Sequence, residues 1–286
     1  MNPASLKDFI TSLWDKDVLP TLCNYIRIPN LSPAFDSEWE TRGPMDAAVK
    51  LFETWAREKI KKLPGATIDV LHPKGRTPLI FIDVPGKTPE TVFLYGHLDK
   101  QPEATGWSEG LGPWTPVVKD DKLYGRGSSD DGYAMFAALS ALLALEAQNV
   151  PHARCIVFIE AGEESGSPDL PFYMEYLKDR IGTLDLVICL DSGCGTYDRL
   201  WLTTSLRGVV GGKLTVRVMK EGVHSGHASG VVPSSFRILR MLLSRIEDEA
   251  TGEIKLKDAT VNIPSYRLEQ ADEAARILGK AFFAEF

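Results

Sequence analysis

The stretch Ala153–Ser165, ARCIVFIEAGEES, is an apolar run that ends in an acidic turn. Cys155 to Ile159 offers no polar residue to solvent, so the run reads as a strand buried on both faces. The same texture recurs on either side of it. Upstream, TVFLYGHLDKQ (residues 91–101) is apolar up to a glycine and then sets His97 and Asp99 two residues apart. Downstream, LDLVICLDSG (residues 184–193) is apolar up to Asp191. Two more short, branched segments, TIDVLH and PLIFIDV, precede these and are bounded by proline and glycine, as strands are. GKTPE, between PLIFIDV and TVFLYG, reads as a tight connection.

Helical patterns interleave with the strands. Leu6–Ile28 is amphipathic with a break near Pro20. Met45–Lys62 carries Ala47, Ala48, Leu51, Phe52 and Trp55 on one stripe. About Tyr133–Gln148 and Tyr173–Arg180 are also helical, and Gly106–Asp121 is a long loop. Strands alternating with helices predict an α/β sandwich around a mixed, largely parallel sheet. From Gly208 the texture changes. GGKLTVRVMKEG alternates like a half-exposed strand, and SSFRILRMLLSRIEDE and EQADEAARILGKAFF read as amphipathic helices. The expected division is therefore 1–207 and a smaller α+β part, 208–286.

Composition narrows the function classes. The chain has 286 residues, 44% hydrophobic and 25% charged, with a formal net charge of −7. A nucleic-acid partner needs a basic patch, which this acidic balance argues against. The longest apolar run, Ala134–Ala147, is interrupted by Ser140 and too short to span a bilayer, so no membrane role is expected. The N-terminus lacks the apolar core of a secretory signal. Four cysteines without CxxC spacing read as reduced thiols in a cytoplasmic protein, each a small buried hydrophobe. Gly125-x-Gly127 lacks the third glycine of a dinucleotide fingerprint.

Ligands of open α/β sheets collect at the carboxyl ends of strands. Here His97 and Asp99, Glu163 and Glu164, and Asp191 all follow apolar runs, and Asp130 and Asp131 stand between GRGSS and a helix. Any one of these acids alone would be a helix cap or a solvated turn. Four such clusters brought together would repel, and a divalent metal pair is the economical remedy. His97 and Asp99 point the same way in extended chain, so His97 can ligate and Asp99 can orient it. Glu163 and Glu164 point apart. One can bind metal while the other acts as general base. The same logic splits Asp130 from Asp131.

Five motifs in order, YGHLDKQPEATGW, KLYGRGSSDDG, IEAGEESGS, LVICLDSG and GVHSGHASG, resemble the two-zinc metallopeptidase/amidohydrolase family. That family holds cytosolic nonspecific dipeptidase, carnosine dipeptidase, succinyl-diaminopimelate desuccinylase and carboxypeptidase G. The likeness runs from about YIRIPNLSP to GVHSG and is strongest to the dipeptidases. It implies a zinc-exopeptidase-like catalytic domain, here 1–207, and a lid and dimerisation domain, here 208–286 and incomplete. It implies two divalent metal ions, zinc first, with manganese or cobalt sharing such ligands. His97, Asp130 and Asp191 would hold one ion, with Asp130 bridging to a second held by Glu164. Glu163 would be the base acting on a bridging water, with Asp99 supporting His97. His224 would reach a neighbouring subunit's site in a homodimer and stabilise the oxyanion. The bond between Asp130 and Asp131 would be cis. An aspartate at position 191 goes with peptide substrates, and N-acyl amino acids are the alternative.

Two departures accompany the resemblance. Gly132 stands where the dipeptidases carry a lysine. A late histidine ligand for the second zinc has no counterpart, since His72, His152 and His227 lie in other contexts. The expectation is a C-terminally truncated fragment of a longer enzyme or, second, a natural short form with an impaired second metal site; a rival from another class is a truncated, non-catalytic chain that binds at most one metal. A serine hydrolase using Ser225 or Ser229 is the remaining rival, and GHASG lacks the spacing of a nucleophile elbow.

Overall fold

The computed structural model describes residues 2–285. They divide into two compact units, Met1–Gly193 and Cys194–Phe286.

The first unit opens with α1 (Pro3–Leu13), capped by the Asn2 side chain, which accepts from the Ala4 and Ser5 amides. A π-helical turn, Trp14–Val18, joins it to α2 (Leu19–Ile26). The break expected at Pro20 is therefore a widened turn just before it. Proline has no N–H for the preceding carbonyls, and the helix relieves this by one loose turn. α3 (Trp39–Arg42) and α4 (Pro44–Ile60) follow.

Three strands come next: β1 (Thr67–Leu71), β2 (Leu79–Val84) and β3 (Thr88–His97). GKTPE is mostly strand, because β3 already begins at Thr88. β4 (Val117–Lys119) and β5 (Lys122–Tyr124) form a hairpin where only a loop was expected. Its two turn residues, Asp120 and Asp121, both have positive φ, the signature of a type I′ turn. α5 (Ala134–Ala147), β6 (Ala153–Glu160), α6 (Leu170–Tyr176), α7 (Lys178–Ile181) and β7 (Leu186–Cys189) complete the unit.

The main sheet has the order β1-β2-β6-β3-β7. β2 pairs antiparallel with β1 and β6, while β3 lies parallel between β6 and β7. The chain thus leaves β3 for one neighbour and returns to the other side of it, which opens a crevice at the carboxyl ends of these strands. Both faces of the sheet are covered, which explains the unbroken apolar runs. Ile80, Ile82, Val157 and Ile159 face α2, α4 and α5, where Tyr25, Phe52, Trp55 and Phe136 interlock edge to face. Leu79, Phe81, Ile156 and Phe158 face Tyr173 of α6, Ile181 of α7 and Leu177 between the two helices. β7 differs, since all four of its residues are exposed. Cys189 and Cys194 are exposed with it, contrary to the buried role expected of every cysteine, while Cys155 is buried and all four are free.

The second unit contains α8 (Ser225–Ala228), α9 (Ser235–Leu243) and α10 (Ser265–Leu278). Among its described residues there is no strand and no buried side chain. The alternating GGKLTVRVMKEG is irregular. A strand needs a partner for its N–H and C=O groups, and only an isolated bridge, Glu247 to Ile254, forms here. No helix among the described residues is long and apolar enough to cross a membrane.

Candidate metal centre

The centre is built at the ends of β3, β6 and β7, all in the first unit. β3 delivers His97 because Gly96 lets the strand press onto α5. A Cβ at Gly96 would lie 2.5 Å from that of Ala134 and 2.7 Å from Asp131 Oδ2. His97 is wholly buried. Its Nδ1 faces the Asp99 carbonyl at 3.1 Å, and this contact fixes the ring. Nε2 then points at three carboxylates: Asp130 Oδ1 at 3.3 Å, Asp191 Oδ2 at 3.7 Å and Glu163 Oε2 at 3.9 Å. None of them meets hydrogen-bonding geometry, and Nε2 is buried without a partner.

Among the described residues, His97, Asp130 and Asp191 form a group whose ligand atoms lie within 4.8 Å of one another, suited to a metal ion. A buried imidazole nitrogen surrounded by carboxylate oxygens is a donor set that fits a divalent cation such as zinc. Burial alone would lower the His97 pKa, but the facing Asp130 and Asp99 outweigh it and push it up to about 11. Asp130 is held low by the same contact.

The acidic turn is a short 3₁₀ segment, Glu163–Ser165. Burial raises the pKa of Glu163 and of Glu164, helped by neighbouring acids. Glu164 Oε2 accepts from Gln101 Nε2 at 2.5 Å, and its Oε1 is buried without a partner. Glu164 stands outside the three-residue group, and Glu163 is the glutamate nearer His97. Asp99 has a role that the sequence did not suggest. Its carboxylate accepts the amides of Glu163 at 3.2 Å and Glu164 at 3.0 Å, so it ties the turn to β3 as well as standing 3.5 Å from His97 Nδ1.

Two further buried residues flank the centre, Asp131, the neighbour of Asp130, and Lys100, which the sequence did not single out. Asp131 accepts the His97 amide at 3.3 Å, and burial pushes its carboxyl up to about 8. The bond joining it to Asp130 is cis, as the resemblance implies. Lys100 is fully buried and donates to the Tyr25 and Ile28 carbonyls at 2.8 and 2.7 Å, locking α2 to the end of β3. A charged residue just after a strand gave no sign that it would point inward. His224 lies in the second unit, where it caps α8 by accepting the Gly226 amide on Nδ1.

This arrangement of a buried histidine and acids at the ends of parallel strands defines a metallopeptidase-type α/β centre. The model of peptidase family M20/M25/M40 matches residues 93–274, and the chain belongs to that family. It is 32% identical over 167 residues to the Beta-Ala-His dipeptidase of Homo sapiens, covering 57% of this chain and 32% of that protein. It is 30% identical over 144 residues to the succinyl-diaminopimelate desuccinylase of Methylobacillus flagellatus, covering 50% and 38%. The chain thus spans less than half the length of these relatives. Among solved structures, an M20 family metallo-carboxypeptidase, Sso-CP2 from Sulfolobus solfataricus, shares the fold with a TM-score of 0.64 at 20% identity, over 92% of this chain and 59% of that one.

Proposed function

We propose that the chain carries the metal site of a hydrolase that cleaves the amide bond of dipeptides or small peptides. The observation that carries this reading is the buried, unpartnered Nε2 of His97 facing Asp130, Asp191 and Glu163. His97, Asp130 and Asp191 would hold a divalent ion, zinc by preference, and Glu164 would contribute to holding a second. Bound metal supplies a polarised scissile carbonyl and a water acidified to about pKa 7. Glu163 would serve as the general base, accepting a proton from the attacking water and returning it to the leaving amine. Its raised pKa suits both transfers, because a base works best when its pKa approaches the working pH. Asp99 keeps His97 and the Glu163 backbone in fixed relation. Residues 1–207 form the catalytic part. Residues 208–286 belong to a lid through which a homodimer forms, with His224 stabilising the oxyanion in a partner's site. The protein works in the cytoplasm.

A second reading, removal of an acyl group from N-acyl amino acids at the same site, is favoured by the desuccinylase relative. A third is a metal-binding chain without catalysis. Zinc-loaded wild type, Glu163→Gln and His97→Ala, assayed on dipeptides and on N-succinyl amino acids beside zinc content, separate the three. Glu163→Gln is expected to lose about 10²–10⁴-fold in turnover and to keep its zinc. His97→Ala is expected to lose both. Parallel loss of zinc and turnover in Glu163→Gln would remove Glu163 from the role of base. Zinc binding by an inert wild type would select the third reading.

A further inference from the structure

We propose that Tyr95, Glu160 and Ser167 form a buried brace that sets the position of the acidic turn, and through it the metal affinity of the centre. The inference rests on the metal-site reading above. All three are positioning residues.

Glu160 ends β6 and is 1% exposed. It stands opposite His97 in the parallel register, and its carbonyl accepts the Leu98 amide at 2.9 Å. Its Oε1 accepts from the Tyr95 hydroxyl on β3 and from Ser167 Oγ at 2.8 Å, while Oε2 is buried with no partner. Among the described residues no cation pairs with it. Burial raises its pKa accordingly. An apolar residue in this buried place would be better for stability alone.

Ser167 is equally costly for its place. Its φ of 51° lies in the left-handed region, where glycine sits without strain. Its amide closes the turn onto the Gly162 carbonyl at 3.0 Å, a bond that glycine would also make. What glycine cannot supply is the hydroxyl that reaches Glu160. Two residues, each unfavourable where it stands, thus meet in one hydrogen bond. That bond fixes the far end of the turn, while Asp99 fixes the near end. Tyr95 ties the same carboxyl to the strand that carries His97. The spacing between His97 and the two glutamates is therefore set from both ends.

A purely architectural role and a positioning role predict opposite results for Ser167→Gly. Removing the strained serine should leave the metal-free melting temperature equal or higher. If the brace positions the turn, cobalt(II) affinity, measured by competition with a chelator, should still fall about tenfold or more, the usual effect of removing a group that orients metal ligands. Glu160→Leu should show the same split. Glu160→Gln keeps an acceptor for Tyr95 and Ser167 and should retain affinity close to wild type. A fall smaller than tenfold in Ser167→Gly, or a parallel fall of melting temperature and affinity, overturns the brace. If Glu160→Leu does not fold, Ser167→Gly decides alone. A wild type that binds cobalt no better than His97→Ala overturns the metal-site reading itself, and the brace with it.

Discussion

α4 and α9 are both amphipathic, and the chain treats them in opposite ways. In the first unit the stripe of α4, with Ala48, Phe52 and Trp55, is buried against the sheet face and α5. In the second unit α9 leaves Phe236, Met241 and Leu243 exposed, and no described residue there is buried. Periodicity determines that a helix can form with one apolar face. Whether that face is covered depends on partners elsewhere in the chain, which periodicity does not encode. The two regions also differ in polar groups. The first unit buries His97, Asp99, Lys100, Asp131 and Glu160 around the centre. The second buries none among its described residues.

The sharpest way to break this contrast is to truncate one aromatic residue in each region. Phe158→Ala should cost about 3–5 kcal/mol of unfolding free energy by urea titration, because Phe158 is wholly enclosed between β3 and α6–α7. A smaller effect concerns Lys100. Burial pulls its ammonium down to about 6, whereas in the unfolded chain it keeps the ordinary lysine value near 10.4. Between those values the unfolded state holds more protons, so this residue makes stability rise with pH, by at most about 1.4 kcal/mol per unit. Lys100→Met should flatten the slope of unfolding free energy between pH 6.5 and 8.5. An unchanged slope would mean that the Tyr25 and Ile28 carbonyls hold the ammonium charged. The smallest effect belongs to Phe236→Ala, at 73% exposed, which should stay within about 0.5 kcal/mol. A loss comparable to that of Phe158→Ala would show that α9 has a buried face in solution.

Much of the first unit was legible because its signals are local. Continuous apolar runs gave β2, β3 and β6, and acids just beyond those runs gave the centre. The missed features depend on geometry that composition does not carry. Asp120-Asp121 makes the β4–β5 turn without the glycine that usually marks a type I′ hairpin. The acceptance of two turn amides by Asp99 depends on how β3 and β6 lie in register, not on the HxD spacing. Glu160 and Lys100 look like ordinary charged residues at strand ends, and only the fold turns them inward. In the second unit the alternating residues 211–222 read as a strand, but the pattern states which face is apolar and not that a neighbour exists to pair with.

The parallel pairing of β3 with β6 has a consequence for biosynthesis. Asp99 and the Glu164 amide it holds are 65 residues apart in the chain. At roughly 5–20 residues per second of translation, His97 and Asp99 leave the ribosome several seconds before the turn they fasten exists. During that interval they are separate, solvent-bathed side chains. Asp191, beyond β7, arrives later still. His97, Asp130 and Asp191 therefore come together only once the strands on both sides of β3 have docked.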